Sequence, residues 1–370
     1  MRVLGFMTGT SLDACDMAIL ETDGHAIQGF GPAGERKLSE PVRDLILETT
    51  QVALGWARGT PEPDIFAKTS QAVAREHFEA AAEFLANQQF SWRDIDLIGM
   101  HGQTVLHERP TSARVGRTVQ LGDGQWLADQ TGVPVVYDFR TMDVAAGGEG
   151  APLAPIYHLA RAQASRLTAP LAMVNIGGVA NVTFWSGDEA IAAFDTGPGN
   201  GMIDLLVQTR STDRFDDGGQ LALAGKVDDA VLAGLLAHPY FAAPPPKSLD
   251  RYDFPVSALD GLTLTDAAAT LVAFTAEAMK LGFSMMGGQP TELIVCGGGR
   301  HNPAIMQALR ARIPVPVSVA EDHGWRGDSI EAEAFAFLAA RRWVDLPISY
   351  PATTGVRSPM IGGTIAMPPG

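Results

Sequence analysis

Three glycine-rich turns, each directly after a short apolar run, constrain the fold of this 370-residue chain more than any other feature. They lie at residues 8–16, 195–200 and 297–299, and apolar runs at 3–7 and 17–20 flank the first. That flanking pattern predicts a hairpin, and glycine lets its backbone approach phosphate oxygens because no Cβ intervenes. A single such turn is also typical of a tight connection between elements. Three together indicate a nucleotide cleft.

The turns do not have the spacing of the common nucleotide-binding loops. Gly299 is followed by Arg300 and His301, whereas a P-loop requires Lys and then Ser or Thr after its last glycine. No Gly-x-Gly-x-x-Gly run opens a helix after the first strand. Both the P-loop and the Rossmann interpretation are therefore disfavoured.

Strand-like and helix-like segments alternate along the chain, which is typical of an α/β protein. We predict strands at 95–100, 133–137, 171–176 and 293–296, and helices at 61–89 and around 271–278 and 330–338. Functional-looking residues follow the predicted strands, where open α/β sheets bind ligands. The Gly- and Pro-rich segment 141–155 is a candidate junction and hinge, and the proline-led segment 244–251 is either a lid or a stiff surface loop.

Charge and composition exclude several partner classes. The net charge is −15, from 42 acidic and 27 basic side chains, so nucleic acid is not an expected partner. The hydrophobic content of 46% indicates a folded chain long enough for two domains. Two cysteines make a disulfide framework improbable, and no uncharged stretch reaches membrane-spanning length. We expect a cytoplasmic protein without a membrane partner.

Seven motifs in fixed order carry a resemblance to a known family. Over nearly its whole length the chain resembles the anhydro-N-acetylmuramic acid kinases, bacterial sugar kinases of the actin/hexokinase-like ATPase superfamily. The Ala-Ala-Gly-Gly-x-Gly-Ala-Pro-Leu and Phe-Asp-x-Gly-Pro-Gly-Asn strings are specific to that family. The motifs are MTGTSLD at 7–13, HGQT at 101–104, DFR at 138–140, AAGGEGAPL at 145–153, NIGG at 175–178, FDTGPGN at 194–200 and CGGG at 296–299.

The resemblance implies both a reaction and an architecture. The enzyme would use ATP to open the 1,6-anhydro ring of 1,6-anhydro-N-acetylmuramic acid with water while phosphorylating O6. The products would be N-acetylmuramic acid 6-phosphate and ADP, in peptidoglycan recycling. The implied fold is α/β, with two actin-like (ribonuclease H-like) domains at 1–138 and 139–345 around a central nucleotide and sugar cleft. Residues 346–370 would pack back on the first domain, and the protein would form a homodimer.

Asp195 is the candidate catalytic residue. Water is a poor nucleophile at neutral pH, so its attack on the anomeric carbon needs a carboxylate that accepts its proton. Asp195 stands in the family's Phe-Asp-x-Gly-Pro-Gly-Asn turn, which implies the role of general base. The alternative is a carboxylate that caps the turn by binding nearby backbone N–H groups.

The resemblance implies that the glycine turns bind ATP. Backbone N–H groups and the Thr10 and Ser11 hydroxyls would hold the β- and γ-phosphates. Asp13 or Asp16 would help place Mg²⁺ through water, or would be a turn carboxylate satisfied by local donors, and the metal ligands remain unassigned. The candidate cofactor-binding residues are Gly9, Thr10, Ser11, Leu12, Asp13, Ala14, Cys15, Asp16, Gly197, Gly199, Asn200, Gly297, Gly298, Gly299 and Asn302.

Four residues are candidates for binding the sugar. Arg140 is a natural bidentate partner for the lactyl carboxylate, or else a structural arginine paired with Asp138 or Asp143. Glu331 aligns with a family glutamate that would bind sugar hydroxyls, or is a first-turn acid favoured by the helix dipole. His101 and Gln103 are expected to line the cleft rather than act as acid and base.

Two departures from the family pattern leave rival functions open. Ala14 stands where the family usually has glycine, and Glu149 where glutamine is common. Both leave room for an actin-fold kinase that acts on a different sugar or carboxylic acid. A non-catalytic sugar- or nucleotide-binding regulator is the other alternative, although the chain has no basic helix-turn-helix segment.

Overall fold

The computed structural model describes residues 1–9, 12–111, 113–187, 190–249 and 253–370. The chain divides into two compact units: residues 1–166 with 329–370, and residues 167–328. The strands are β1 (Arg2–Thr8), β2 (Ala14–Thr22), β3 (Ile27–Lys37), β4 (Leu97–Met100), β5 (Gln103–Glu108), β6 (Arg117–Leu121), β7 (Val135–Tyr137), β8 (Leu171–Ile176), β9 (Val179–Gly187), β10 (Ala190–Pro198), β11 (Leu293–Cys296), β12 (Val317–Val319) and β13 (Thr364–Ala366).

The α-helices lie in the connections that follow β3, β6, β7, β10, β11 and β12. The α-helices are α1 (Glu40–Gly55), α2 (Asp64–Asn87), α3 (Gly124–Thr131), α4 (Thr141–Ala145), α5 (Pro155–Ala164), α6 (Asn200–Arg210), α7 (Gln220–Ala224), α8 (Asp229–Leu236), α9 (Leu264–Phe283), α10 (Pro303–Arg312), α11 (Ile330–Trp343) and α12 (Pro351–Thr354). Short 3-10 helices are present at Trp92–Asp94, Asp217–Gly219, Pro239–Ala242, Val256–Leu259, Gly298–His301 and Ala320–His323. None of the helices in the described ranges has the length and apolar character needed to cross a bilayer.

The first unit is built on a six-stranded sheet in the order β13-β7-β4-β1-β2-β3. Strands β1 and β2 form the predicted antiparallel hairpin, while β1, β4 and β7 run parallel. Helix α11 packs on this sheet, and two glycines permit the close approach. A Cβ at Gly5 would lie 2.0 Å from the Ala332 carbonyl oxygen, and one at Gly99 would lie 2.3 Å from the Phe335 carbonyl oxygen. Larger side chains there would displace the helix.

The second unit repeats this arrangement. Its sheet has the order β10-β9-β8-β11-β12, with β8, β9 and β10 antiparallel and β8, β11 and β12 parallel. The order and strand directions match those of β3-β2-β1-β4-β7 in the first unit. Thirteen of the 20 residues of helix α9 are buried, and the helix packs against β10, α6, α7, α8 and α10. The predicted α/β class with two actin-like units is confirmed.

Most predicted elements are present with shifted ends. The helix predicted at 61–89 is α2, which begins only after Pro61 and Pro63, and the strand predicted at 95–100 is β4. The segment 141–155, a candidate junction and hinge, lies within the first unit and not at the boundary between the units. Asp143, which is buried there, accepts hydrogen bonds from Gly150 N at 2.7 Å and Thr354 Oγ1 at 2.6 Å.

The two compact units have different bounds from the domains expected at 1–138 and 139–345. Helix α5 packs on β3 and α11, and α11 packs on β1, β2 and β4, so residues 139–166 and 329–345 group with the first sheet. Strand β13, from the C-terminal segment, pairs with β7 in the same sheet. The contacts of α5 and α11 therefore decide where the units divide.

Candidate active site

Asp195 lies near the end of β10, the edge strand of the second sheet, and is 7% exposed. The pairing of β10 with β9 is irregular between Asp195 and Gly197. The Asp195 carboxylate accepts a hydrogen bond from Leu249 N at 2.7 Å through Oδ2. The donor is 54 residues away in the chain, so this bond is not a cap of the local turn, and it stabilises a negative charge on the carboxylate.

The proline-led segment is partly buried in its described part. Lys247, Ser248 and Leu249 are buried, with exposures of 8%, 2% and 8%. Residues 250–252 lie outside the described residues. The segment therefore covers the end of β10.

The glycine turns of the second unit converge at the ends of β8, β10 and β11. Asn200 N donates to Gly177 O at 2.8 Å, and Gly199 N donates to Gly178 O at 3.0 Å. A Cβ at Gly299 would lie 2.3 Å from Ile176 Cγ2. The three turns that follow these strands are thus packed against one another, as expected for a ligand site at the carboxyl ends of strands.

The glycines of these turns fall into two groups. Gly197 and Gly199 are explained by packing, because a Cβ would lie 2.7 Å from Ala278 Cβ and 2.3 Å from Gly177 O. Gly298 differs, since its Cβ would meet nothing closer than Asn200 Nδ2 at 3.8 Å, and its φ is not positive. The fold therefore does not require glycine at 298. Close approach of a ligand to the backbone is one reason for glycine at such a position.

Asn302 and Arg300 support the third turn. Asn302 caps α10, because its side-chain oxygen accepts from Ala304 N at 3.0 Å and Ile305 N at 3.3 Å. Arg300 donates to Gly297 O at 3.0 Å and pairs with Asp328 and Glu321, with the shortest N–O distances 2.7 and 2.8 Å. Burial acts to lower the pKa of Arg300, but the hydrogen bonds and charges of Asp328 and Glu321 together raise it above its usual value. Both side chains hold the turn in place.

The first turn is described only in part, because Thr10 and Ser11 lie outside the described residues. Leu12 is buried with a φ of 54°, and Asp13 is exposed with Oδ1 accepting from Ala14 N at 3.0 Å. Gly9 O accepts from Leu12 N at 3.3 Å. Burial, followed by the neighbouring Asp16 carboxylate, raises the pKa of the Cys15 thiol. Cys15 is therefore a packed thiol, not a reactive one.

Arg140 and His101 are brought together in the first unit. Arg140 donates to Gly150 O at 2.7 Å and to His101 Nε2 at 3.1 Å. Because a guanidinium only donates, His101 Nε2 accepts and its Nδ1 carries the proton, which it donates to Gly102 O at 2.8 Å. Burial, and then the charge of Arg140, hold the pKa of His101 well below its usual value. His101 is therefore a neutral support for Arg140.

Sequence reasoning missed the side chain that joins these two residues. Gln120 Oε1 accepts from Arg140 N at 2.9 Å, while Gln120 Nε2 donates to His101 O at 3.1 Å. Gln120 lies on β6, far from every motif, so only the hairpin of β5 with β6 places it there. Sequence reasoning also missed His77 on α2, whose Nε2 lies 3.1 Å from Thr8 Oγ1.

The remaining candidates also lie in the first unit. Gln103 is buried at the start of β5, and its Nε2 donates to Thr104 O at 3.4 Å. Glu331 is half-buried in the first turn of α11. Two residues later, the fully buried Glu333 accepts a hydrogen bond from the Tyr157 hydroxyl, which ties α5 to α11. Within the described ranges, no group of three His, Cys, Asp or Glu side chains is arranged to hold a metal ion.

Comparison with known proteins gives full-length matches. The family model described as anhydro-N-acetylmuramic acid kinase matches residues 1–368. The anhydro-N-acetylmuramic acid kinase of Phenylobacterium zucineum is 67% identical over 368 residues, with both chains 100% covered. That of Caulobacter vibrioides is 66% identical, covering 99% of this chain and 98% of the relative. Among solved structures, Acidaminococcus fermentans (R)-2-hydroxyglutaryl-CoA dehydratase component A aligns with a TM-score of 0.49 and 13% identity, over 93% of this chain and 99% of that one.

Proposed function

Because the chain belongs to the anhydro-N-acetylmuramic acid kinase family and is a phosphotransferase, we propose that it hydrolyses and phosphorylates 1,6-anhydro-N-acetylmuramic acid in one reaction. Water adds to the anomeric carbon, the bond from that carbon to O6 breaks, and O6 takes the γ-phosphoryl group of ATP. N-acetylmuramic acid 6-phosphate, ADP and one proton are the products. Phosphate transfer to O6 then prevents the ring from closing again.

Asp195 is proposed as the general base that takes the proton from water. The observation that carries this assignment is its burial at the end of β10, with one carboxylate oxygen accepting from Leu249 N. A carboxylate held by a backbone N–H is fixed in direction, as a base that must reach one bound water needs to be. Such a group suits proton transfer from a bound water.

ATP is proposed to bind along the glycine turns. Gly298 supports this, because the fold leaves open space where its Cβ would be. The first turn, residues 9–16, would contribute backbone N–H groups and the hydroxyls of Thr10 and Ser11. Mg²⁺, carried with the nucleotide, would offset phosphate charge, and Asp13 or Asp16 would hold it through water. The hydrogen bond that Ala14 N donates to Asp13 Oδ1 supports a turn-stabilising role for that carboxylate as well.

Arg140 is proposed to bind the lactyl carboxylate of the sugar. The contacts of its guanidinium with Gly150 O and His101 Nε2 fix its plane, and a fixed guanidinium matches a carboxylate with two parallel hydrogen bonds. Glu331 would bind sugar hydroxyls from the first turn of α11, while His101 and Gln103 shape the surroundings. We also propose a cytoplasmic homodimer that acts in peptidoglycan recycling, an assignment that rests on the family.

The test is the mass spectrum of the product formed from ATP and the anhydro sugar in ¹⁸O-water. We expect one ¹⁸O at the anomeric oxygen and an unlabelled 6-phosphate. Label in the phosphate, or ADP formation without sugar phosphate, would contradict the proposal. Unlabelled N-acetylmuramic acid 6-phosphate kept in ¹⁸O-water controls for anomeric exchange. Glucose, N-acetylglucosamine and acetate serve as rival substrates, and faster turnover of any of them would favour a different kinase.

A further inference from the structure

We propose that Lys247 and Tyr240 are positioning residues for Asp195, acting through the segment 240–249 that they fold onto the end of β10. The inference rests on the proposed role of Asp195 as general base. It adds two residues that no motif indicated: the Tyr240 hydroxyl donates to the Asp195 carbonyl oxygen, and the Lys247 ammonium donates to the Tyr240 carbonyl oxygen.

The segment 240–249 holds Asp195 at three separate points. Asp195 N donates to Lys247 O at 3.0 Å. The Tyr240 hydroxyl donates to Asp195 O at 2.5 Å. Leu249 N donates to Asp195 Oδ2 at 2.7 Å. The direction of the carboxylate therefore depends on where this one segment lies.

The Lys247 side chain closes the segment on itself. Its Nζ donates to Tyr240 O at 2.9 Å and lies 4.5 Å from the centroid of the Tyr240 ring. Met285 Sδ lies 3.6 Å from the same nitrogen. Residues 240 and 247, both of which contact the Asp195 backbone, are thus joined to each other. Moving either one displaces the other.

A lysine is a costly residue at this place unless its ammonium has a function. Lys247 is 8% exposed, and among the described residues no carboxylate lies within the 4.0 Å ion-pair distance of its Nζ. Burial alone lowers the pKa of the Lys247 ammonium. Methionine would fill the same space without the desolvation cost. What lysine adds is an N–H donor for Tyr240 O.

The experiment measures turnover of Lys247→Met and Tyr240→Phe, alone and combined with Asp195→Asn. In the wild-type background we expect kcat to fall about 10- to 100-fold with KM for ATP unchanged, because a displaced base slows chemistry without weakening nucleotide binding. In the Asp195→Asn background we expect no further fall, because the group that is positioned no longer acts. Lys247→Arg, which keeps a donor, should restore part of the turnover.

The controls separate the possible outcomes. Lys280→Met removes an exposed lysine from α9 and should leave kcat unchanged. An equal fall of kcat with and without Asp195→Asn would overturn the positioning role, and so would wild-type kcat in Tyr240→Phe. Because Tyr240→Phe removes a single hydroxyl, it tests the proposal even if Lys247→Met does not fold. Full activity of Asp195→Asn itself would overturn the proposed function instead.

Discussion

The two units share one sheet order, but their equivalent edge strands, β3 and β10, differ in burial and in the candidate residues that they carry. In the first unit, β3 ends in exposed Glu35 and Lys37 and no candidate residue lies on it. In the second unit, residues 193–199 at the end of β10 are all buried, and Asp195 lies among them. The segment 240–249 hydrogen-bonds to Asp195, and α9 packs on β10. A shared fold therefore does not give shared chemistry, which depends on what covers the strand ends.

The units also differ in their ionisable side chains. Four histidines of the first unit, His77, His101, His107 and His158, have pKa values lowered mainly by burial. In the second unit, His238 and His301 are exposed. The second unit instead holds the buried Arg300 with two carboxylates. We therefore expect the units to respond differently to acid and to loss of an arginine.

The largest expected effect distinguishes β10 from β3. Asp195→Asn should fold normally and lose about 10²- to 10⁴-fold in kcat, the range for removal of a general base. Glu35→Gln, at the exposed end of β3, should leave kcat unchanged. Steady-state kinetics and thermal melts measure both. Equal kcat in the two variants would remove the contrast between the strands.

Acid should unfold the first unit before the second. The unfolded chain binds protons at histidine below about pH 6.5, whereas the buried histidines of the native state do not, so the free energy of unfolding falls as pH drops. For His107 and His158, whose pKa values are lowered to about 4, each loss reaches roughly 3 kcal/mol by pH 4. Hydrogen exchange between pH 7 and pH 4.5 should show protection lost first in residues 1–166 and 329–370. Earlier loss in 167–328 would contradict this.

Substitutions of Arg140 and of Arg300 should have their effects in different assays. Arg140→Lys should raise KM for the anhydro sugar about 10- to 100-fold, because a lysine cannot make two parallel hydrogen bonds to a carboxylate. Arg300→Lys should instead lower the melting temperature, since it breaks the pairs with Glu321 and Asp328. Arg36→Lys, on β3, is the matched control. An unchanged sugar KM in Arg140→Lys would assign Arg140 a structural role.

The adjacent glycines at 297 and 298 should also separate stability from binding. Gly297→Ala should cost about 1–3 kcal/mol of stability, because its φ is 75° and the new Cβ would lie 2.1 Å from Asn175 Oδ1. Gly298→Ala should keep the melting temperature and raise KM for ATP several-fold. Thermal melts and kinetics measure the pair. Normal ATP affinity in Gly298→Ala would mean that the nucleotide does not approach this turn.

The smallest expected effect is at Ala14. Ala14→Gly restores the residue usual in the family, and glycine in a strand costs about 0.5–1 kcal/mol of stability. Because Ala14 is buried at 8% exposure in β2, we expect KM for ATP to change by less than threefold. A threefold change corresponds to about 0.6 kcal/mol of binding free energy. A larger change would show that the methyl group contacts the nucleotide.

Local patterns predicted much of the fold because they reveal the hydrophobic periodicity of helices and strands and the glycines and prolines at which these elements end. The runs at 171–176 and 293–296 are β8 and β11 at those bounds, and the glycines after them mark real turns. Helix α1 was not predicted although it is as amphipathic as α2, and α2 begins only after Pro61 and Pro63, later than its pattern predicts. The unit boundaries could not be predicted, because they depend on α5 and α11 packing on the first sheet.

The sequence by itself determined the family, the α/β class and the identity of the candidate residues, since each is written in short strings of neighbouring residues. Only the tertiary structure decided that Leu249 N holds the Asp195 carboxylate, that Gln120 joins Arg140 to His101, and that Asp143 reaches Thr354. The members of each contact are between 19 and 211 residues apart in the chain. Burial and hydrogen bonding across such separations arise from packing, which local pattern does not encode.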